Sequence, residues 1–130
     1  MRLIRRCLLA PALVVLLAAT GCATGQNPRA ESPALAEGGA PAQGREAIIA
    51  VGCGSCHRIP GIPNAEALVG PPLDSWSRRS FIAGTLPNSQ ANLGRWLDDP
   101  QEVRPGSAMP DLDLTPEQVT DIVAYLFTLD

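Results

Sequence analysis

The sequence has no lysine, and all ten of its basic residues are arginine. It has a single histidine, His57, two methionines, and aromatic residues amounting to only 4 %. Charged residues make up 18 %, below the quarter that is usual for soluble domains. Each scarcity excludes a class of function. Thirteen acidic residues outweigh the ten basic ones for a formal charge of −3, so phosphate backbones are repelled and nucleic acid is excluded as a partner. Without lysine there is no ring of ammonium groups through which to dock. A length of 130 residues excludes a large multilayer enzyme. Two Trp, two Phe and one Tyr make a thin core, and chains this short often depend on a staple or a bound group. No stretch alternates apolar and polar residues over a useful length, so a sheet domain is not expected.

What is present begins with a leader. Arg2, Arg5 and Arg6 precede an apolar run from Cys7 to Ala19 that contains Pro11 and is too short for a comfortable membrane span. The run ends in Ala19-Thr20-Gly21-Cys22, which resembles the bacterial lipoprotein processing box, with Ala19 where the box prefers Leu. Residues 1–22 therefore read as a lipoprotein signal peptide, with Cys22 acylated and left as the new N-terminus. Ordinary cleavage nearby and an uncleaved anchor are the competing readings. Loss of the three leader arginines leaves a net charge of about −6. Residues 23–43 are rich in Ala, Pro, Gly, Ser and Glu and show no periodicity, the composition of a disordered tether. Its reach is about 25 Å. The expected location is exported and lipid-anchored, on the outer (periplasmic) side of the cytoplasmic membrane.

The remainder, residues 44–130, reads as one all-α domain of three main helices with long loops. Thr115-Pro116-Glu117-Gln118 offers a cap, a first-turn proline and a capping-box glutamine. Val119, Ile122, Val123, Leu126 and Phe127 then form one apolar stripe. A second helix is expected from about Arg45 into the cysteine pair, with Ala47, Ile48 and Val51 on one side. A third is expected to begin near Ser89, to place Leu93, Trp96 and Leu97 together, and to stop before Pro100.

The decisive residues are Cys53-Gly54-Ser55-Cys56-His57. Two thiols three positions apart sit on one side of a helical turn, where both can add to the vinyl groups on one edge of a porphyrin. The next residue places an imidazole under the iron. C-x-x-C-H in an exported chain is therefore a c-type haem attachment site, with Cys53 and Cys56 as thioether donors and His57 as axial ligand. A four-cysteine zinc site lacks ligands, because only Cys22 and Cys7 remain. A three-ligand zinc site is strained by the adjacency of Cys56 and His57. A thioredoxin-type pair lacks its βαβ setting, and a plain disulfide leaves His57 unexplained.

Without the leader, Met109 is the only methionine. It lies in Pro105-Gly106-Ser107-Ala108-Met109-Pro110, a stiff loop rather than a helix face, so it is not spaced as a core filler. It is the candidate for the sixth iron position. His/Met ligation fills both axial sites and points to electron transfer rather than catalysis.

On these features the domain resembles class I cytochromes c over residues 44–130, through the C-x-x-C-H run, Gly70-Pro71-Pro72-Leu73, the Leu93–Pro100 segment, Pro105–Met109 and Ala124-Tyr125-Leu126. The resemblance implies a class I cytochrome c fold wrapped around one covalent haem. It also implies crossed first and last helices, and a hydrogen bond from the ligand histidine to the Pro71 carbonyl. The stretches Arg78–Asn88 and Asn92–Gln101 are most similar to the cytochrome c domain fused to subunit II of caa-type terminal oxidases. No cysteines remain for the copper site of those fusions. By this likeness Trp96 packs beside the methionine face of the haem and Arg79 faces a propionate, with Arg78 a surface charge. Asn88 stands near the position of a propionate-bonding tryptophan in mitochondrial-type cytochromes.

The function expected is that of a membrane-tethered, one-electron carrier of a respiratory chain, not an enzyme. Its donor would be a quinol-oxidising cytochrome bc complex or a periplasmic dehydrogenase, and its acceptor a terminal oxidase. Two alternatives stand beside it. One is a haem subunit permanently docked to a periplasmic molybdenum or copper dehydrogenase; the other is a gas sensor or peroxidase in which Met109 dissociates.

Overall fold

The computed structural model describes residues 38–130. The leader, the acylation expected at Cys22 and the tether up to residue 37 lie outside the described residues. Four α-helices are present among the described residues: α1 (Pro41–Val51), α2 (Gln90–Asp98), α3 (Pro100–Val103) and α4 (Pro116–Leu126). Short 3₁₀ turns occupy Cys53–Ser55 and Trp76–Arg78.

Each helix starts where its sequence supplies a reason. Thr115 and Gln118 form the reciprocal capping box of α4, through bonds of 3.2 and 2.9 Å. Ser89 accepts from the Asn92 N–H to open α2. Asp99 ends α2 and caps α3, and Pro100 takes the first position of the new helix, where its missing N–H costs nothing. The expected third helix therefore does stop before Pro100, but a further turn follows at once.

Two other differences have physical causes. α1 begins at Pro41, so residues 41–43, read as the end of the tether, are its first turn. A proline is compatible with that position, and the Ala40 N–H is held from outside by the Asp121 carboxylate at 2.7 Å. A two-stranded antiparallel ladder, β1 (Phe81–Ile82) with β2 (Leu86–Pro87), turns through Ala83 and Gly84, both at positive φ. Strands of two residues are too short to show alternation.

The core is built where α1 crosses α4. Ile48, Val119, Ile122, Val123 and Leu126 are buried there, joined by Leu93 and Leu97 of α2. The crossing is close because Gly44 has no side chain: a Cβ there would collide with the Asp121 carbonyl. Truncating a fully buried residue such as Ile122 to alanine costs about 2–5 kcal/mol. Tyr125 closes one side, donating to the Pro60 carbonyl at 2.7 Å, while Arg45 Nε donates to Gly61 O at 3.1 Å. Burial raises the Tyr125 hydroxyl above its ordinary pKa, opposed by the Arg45 charge. The Pro60–Pro63 loop is thereby tied to both long helices, and the face of the core opposite the crossing is left open as a cleft.

Candidate haem site

The cleft has a volume of about 570 Å³, within the range of cofactor pockets. Gly52 ends α1 in the left-handed region at φ 84°, its N–H bonding back to Ile48 and Ile49. That turn reverses the chain into the Cys53–Ser55 turn. Cys53, Cys56 and His57 line one wall as a result, and Met109 lines the cleft as well. Neither thiol is in a disulfide. Burial holds the Cys53 thiol above its ordinary pKa, against the lowering effect of a backbone hydrogen bond.

His57 is fixed by the segment 70–73. The Gly70 N–H donates to Cys56 O and the Leu73 N–H to Arg58 O, each at 2.8 Å. Between these two bonds the His57 Nδ1 lies 2.7 Å from Pro71 O. A carbonyl can only accept, so Nδ1 carries the proton and Nε2 keeps its lone pair free for a metal. An ion pair beside them, Arg58 to Asp74 at 2.8 Å, clips the same two segments together. The hydrogen bond from Arg58 holds the Asp74 carboxyl below its ordinary pKa and raises that of the guanidinium.

The other expected residues fall as follows. Trp96 is half-buried and lines the cleft. Arg79 also lines it, with Nη2 donating to the carbonyls of Pro72 and Asp74 and its guanidinium 5.2 Å from the centre of the Trp76 ring. Arg78 is exposed. Asn88 is not among the lining side chains; its amide donates to Trp76 O at 2.9 Å.

Sequence reasoning missed three features of this site. Gly70 is required for packing, because a Cβ there would lie 2.7 Å from His57 Nδ1 and 2.8 Å from Nε2. Trp76 is buried at the cleft wall, and its Nε1 has no partner among the described residues. Arg104 lines the cleft while donating to Ala83 O at 2.9 Å. Gly70 did stand in the Gly70-Pro71-Pro72-Leu73 motif, though its contact with the His57 ring did not show there; Trp76 and Arg104 had no signal outside three dimensions.

The residues suit an iron porphyrin with two carboxylate tails. Two thiols, an imidazole with a free Nε2 and a thioether share an apolar cleft. Among the described residues, the only charged side chains lining it are Arg79 and Arg104, which match anionic propionates, and no carboxylate lines it. Among the described residues, no group of three His, Cys, Asp or Glu side chains is placed to hold a metal ion. Fold and site together define a small c-type haem protein.

The Cytochrome c family model matches residues 41–130, and the chain belongs to that family. It carries covalently bound haem c, and Cys53 and Cys56 stand in the family's C-x-x-C-H pattern. The chain is 35 % identical over 88 residues to cytochrome c oxidase subunit 2 of Alkalihalophilus pseudofirmus, covering 67 % of this chain and 25 % of that protein. It is likewise 35 % identical over 88 residues to cytochrome c oxidase subunit 2 of Bacillus sp. strain PS3, covering 65 % and 25 %. The chain thus spans about a quarter of the length of these relatives. These matches agree with the likeness to caa-type oxidase domains and with the all-α class I fold, to which the small ladder is an addition.

Proposed function

We propose that this protein is a one-electron carrier, not an enzyme, tethered to the outer face of the cytoplasmic membrane through an acylated Cys22. In this reading it passes electrons from a quinol-oxidising cytochrome bc complex or a dehydrogenase to a terminal oxidase. The observation that carries the proposal is the meeting of Cys53, Cys56, His57 and Met109 in one apolar cleft. When bound, haem c supplies a reversible ferric/ferrous couple. The chain does the rest. Cys53 and Cys56 would hold the group covalently, Pro71 fixes the proton on Nδ1 so that Nε2 of His57 is free to be the ligand atom, and Met109 would supply the second iron ligand. Trp96 would pack against the haem and Arg79 would pair with a propionate.

With His57 and Met109 both holding the iron, no site for a substrate would remain, and reorganisation on electron transfer would be small. Partners reach the cleft mouth past Val69 and Phe81, which line it while remaining 78 % and 59 % exposed. The relatives' identity as cytochrome c oxidase subunits supports an oxidase as acceptor. Among the described residues no helix is long and apolar enough to cross a membrane, so attachment in this reading falls to the leader.

The test uses purified holoprotein. Wild type should titrate as a single one-electron couple and show the far-red sulfur-to-iron band when ferric. Met109→Ala should abolish that band and lower the potential while the haem stays attached. An unchanged spectrum in Met109→Ala would overturn the ligand assignment. Rapid oxidation by a terminal oxidase supports the carrier role; isolation only as a fixed complex with a dehydrogenase would replace it.

A further inference from the structure

Gln101 occupies the second position of α3, immediately before the loop that bears Met109. Its side-chain amide makes three hydrogen bonds into that loop. Nε2 donates to the carbonyls of Ser107 and Met109, each at 2.9 Å, and Oε1 accepts from the Gly106 N–H at 3.1 Å. Both N–H donors of the amide and its acceptor are thus engaged. Ser107 Oγ in turn accepts from the Met109 N–H at 3.2 Å. Gln101 is itself braced, because Asp99 Oδ1 accepts from its backbone N–H at 3.0 Å and from that of Glu102 at 2.8 Å.

The loop has little else to hold it. Residues 104–110 contain no helix or strand. Their other fastenings are the Arg104 N–H to Pro100 O bond at 3.0 Å, the Ser107 N–H to Arg104 O bond at 3.1 Å and the Arg104 side chain on Ala83 O. Pro105 and Pro110 have no N–H to contribute.

We propose that Gln101 is the positioning residue for Met109: its amide clasps residues 106–109 and thereby keeps the sixth iron position closed to outside ligands. The inference rests on the reading of Met109 as axial ligand. A competing ligand must wait for the loop to open, so its apparent affinity falls with the open fraction. Each hydrogen bond of ordinary net strength multiplies the closed population by about five. Loss of all three bonds therefore raises the open fraction about 125-fold.

The experiment uses full-length ferric holoprotein as wild type, Gln101→Met and Met109→Ala, titrated with imidazole and followed through the far-red sulfur-to-iron band. Gln101→Met keeps the side-chain length and removes the hydrogen bonds. It should bind imidazole about 125-fold more tightly than wild type and show a weaker band at neutral pH. A Gln101→Met protein with the wild-type band and an affinity within about twofold of wild type would sink the clasp. Persistence of the band in Met109→Ala, or its absence from wild type, would instead sink the ligand assignment. NMR of the wild-type holoprotein decides the clasp independently, including where Gln101→Met does not fold. Two resolved, slowly exchanging side-chain amide protons of Gln101, with cross-peaks to residues 107 and 109, support it; one averaged, fast-exchanging signal overturns it.

Discussion

The Pro71 carbonyl, fourteen residues downstream, accepts the Nδ1 proton of His57 at 2.7 Å, and Gly70 lies against the same ring. The glycine and the proline thus do separate jobs: one makes room for the imidazole and the other orients it. Gly70→Ala would place a methyl group 2.7 Å from Nδ1, so the ring must turn and its bond to Pro71 must break. The expected result is a holoprotein with a raised potential, because an imidazole without its Nδ1 acceptor donates less to ferric iron, together with a perturbed low-spin spectrum and a loss of about 2 kcal/mol in stability. Wild-type spectra and denaturation midpoints in Gly70→Ala would show that the packing is slack.

Trp76 presents a buried N–H without a partner beside Arg79. An unpaired donor costs about 1–3 kcal/mol, and on the proposed site a haem propionate would supply the acceptor. Trp76→Phe keeps most of the ring and removes the donor. It is expected to destabilise the ferric holoprotein by about 1–2 kcal/mol in urea denaturation. It should also raise the pH at which the potential responds to propionate ionisation, because a carboxylate that loses a donor takes up its proton more readily. A potential–pH curve identical to wild type counts against this pairing.

Phe81 stands at the cleft mouth with much of its ring in solvent. If partners dock over an apolar rim, Phe81→Ser should slow the bimolecular reaction with a terminal oxidase about tenfold, the loss typical of a central apolar contact. The rate should change little between low and high salt, since the described residues offer no lysine ring. A steep salt dependence with no effect of Phe81→Ser would point to docking elsewhere.

Asp74 titrates below the ordinary carboxylate range, chiefly through its hydrogen bond to Arg58. A depressed folded-state pKa gives stability that is complete above the unfolded value of about 4 and is lost as pH falls through the lower folded value. Asp74→Asn should therefore be slightly less stable than wild type at neutral pH, with the gap closing toward strong acid. Urea midpoints measured from pH 7 downward test the sign; a gap that widens in acid contradicts it. The contribution is small because the pair is solvent-exposed.

The residues read from sequence were those whose chemistry fixes their spacing. Cys53, Cys56 and His57 form a local pattern, and Met109 stood out for want of any other methionine after the leader. α4 was legible in detail because its capping box and its apolar stripe agree with each other. The start of α1 was not, since Pro41 and its neighbours have linker composition and the Asp121 carboxylate that holds Ala40 lies 81 residues away. Gly70, Trp76 and Gln101 matter through contacts that only the folded chain makes. Asn88 could not be judged from its position, because its amide bonds the Trp76 backbone instead of the cleft.

The Ala40–Asp121 bond also has a mechanical consequence. α1 rises about 16 Å from Pro41 to Val51, so its leading end is attached far from the cysteines at its other end. On the proposed tethering, tension applied from upstream would be borne where the two longest helices interlock, away from the cysteines and His57. The cleft would then meet a partner without strain on the residues proposed to hold the iron.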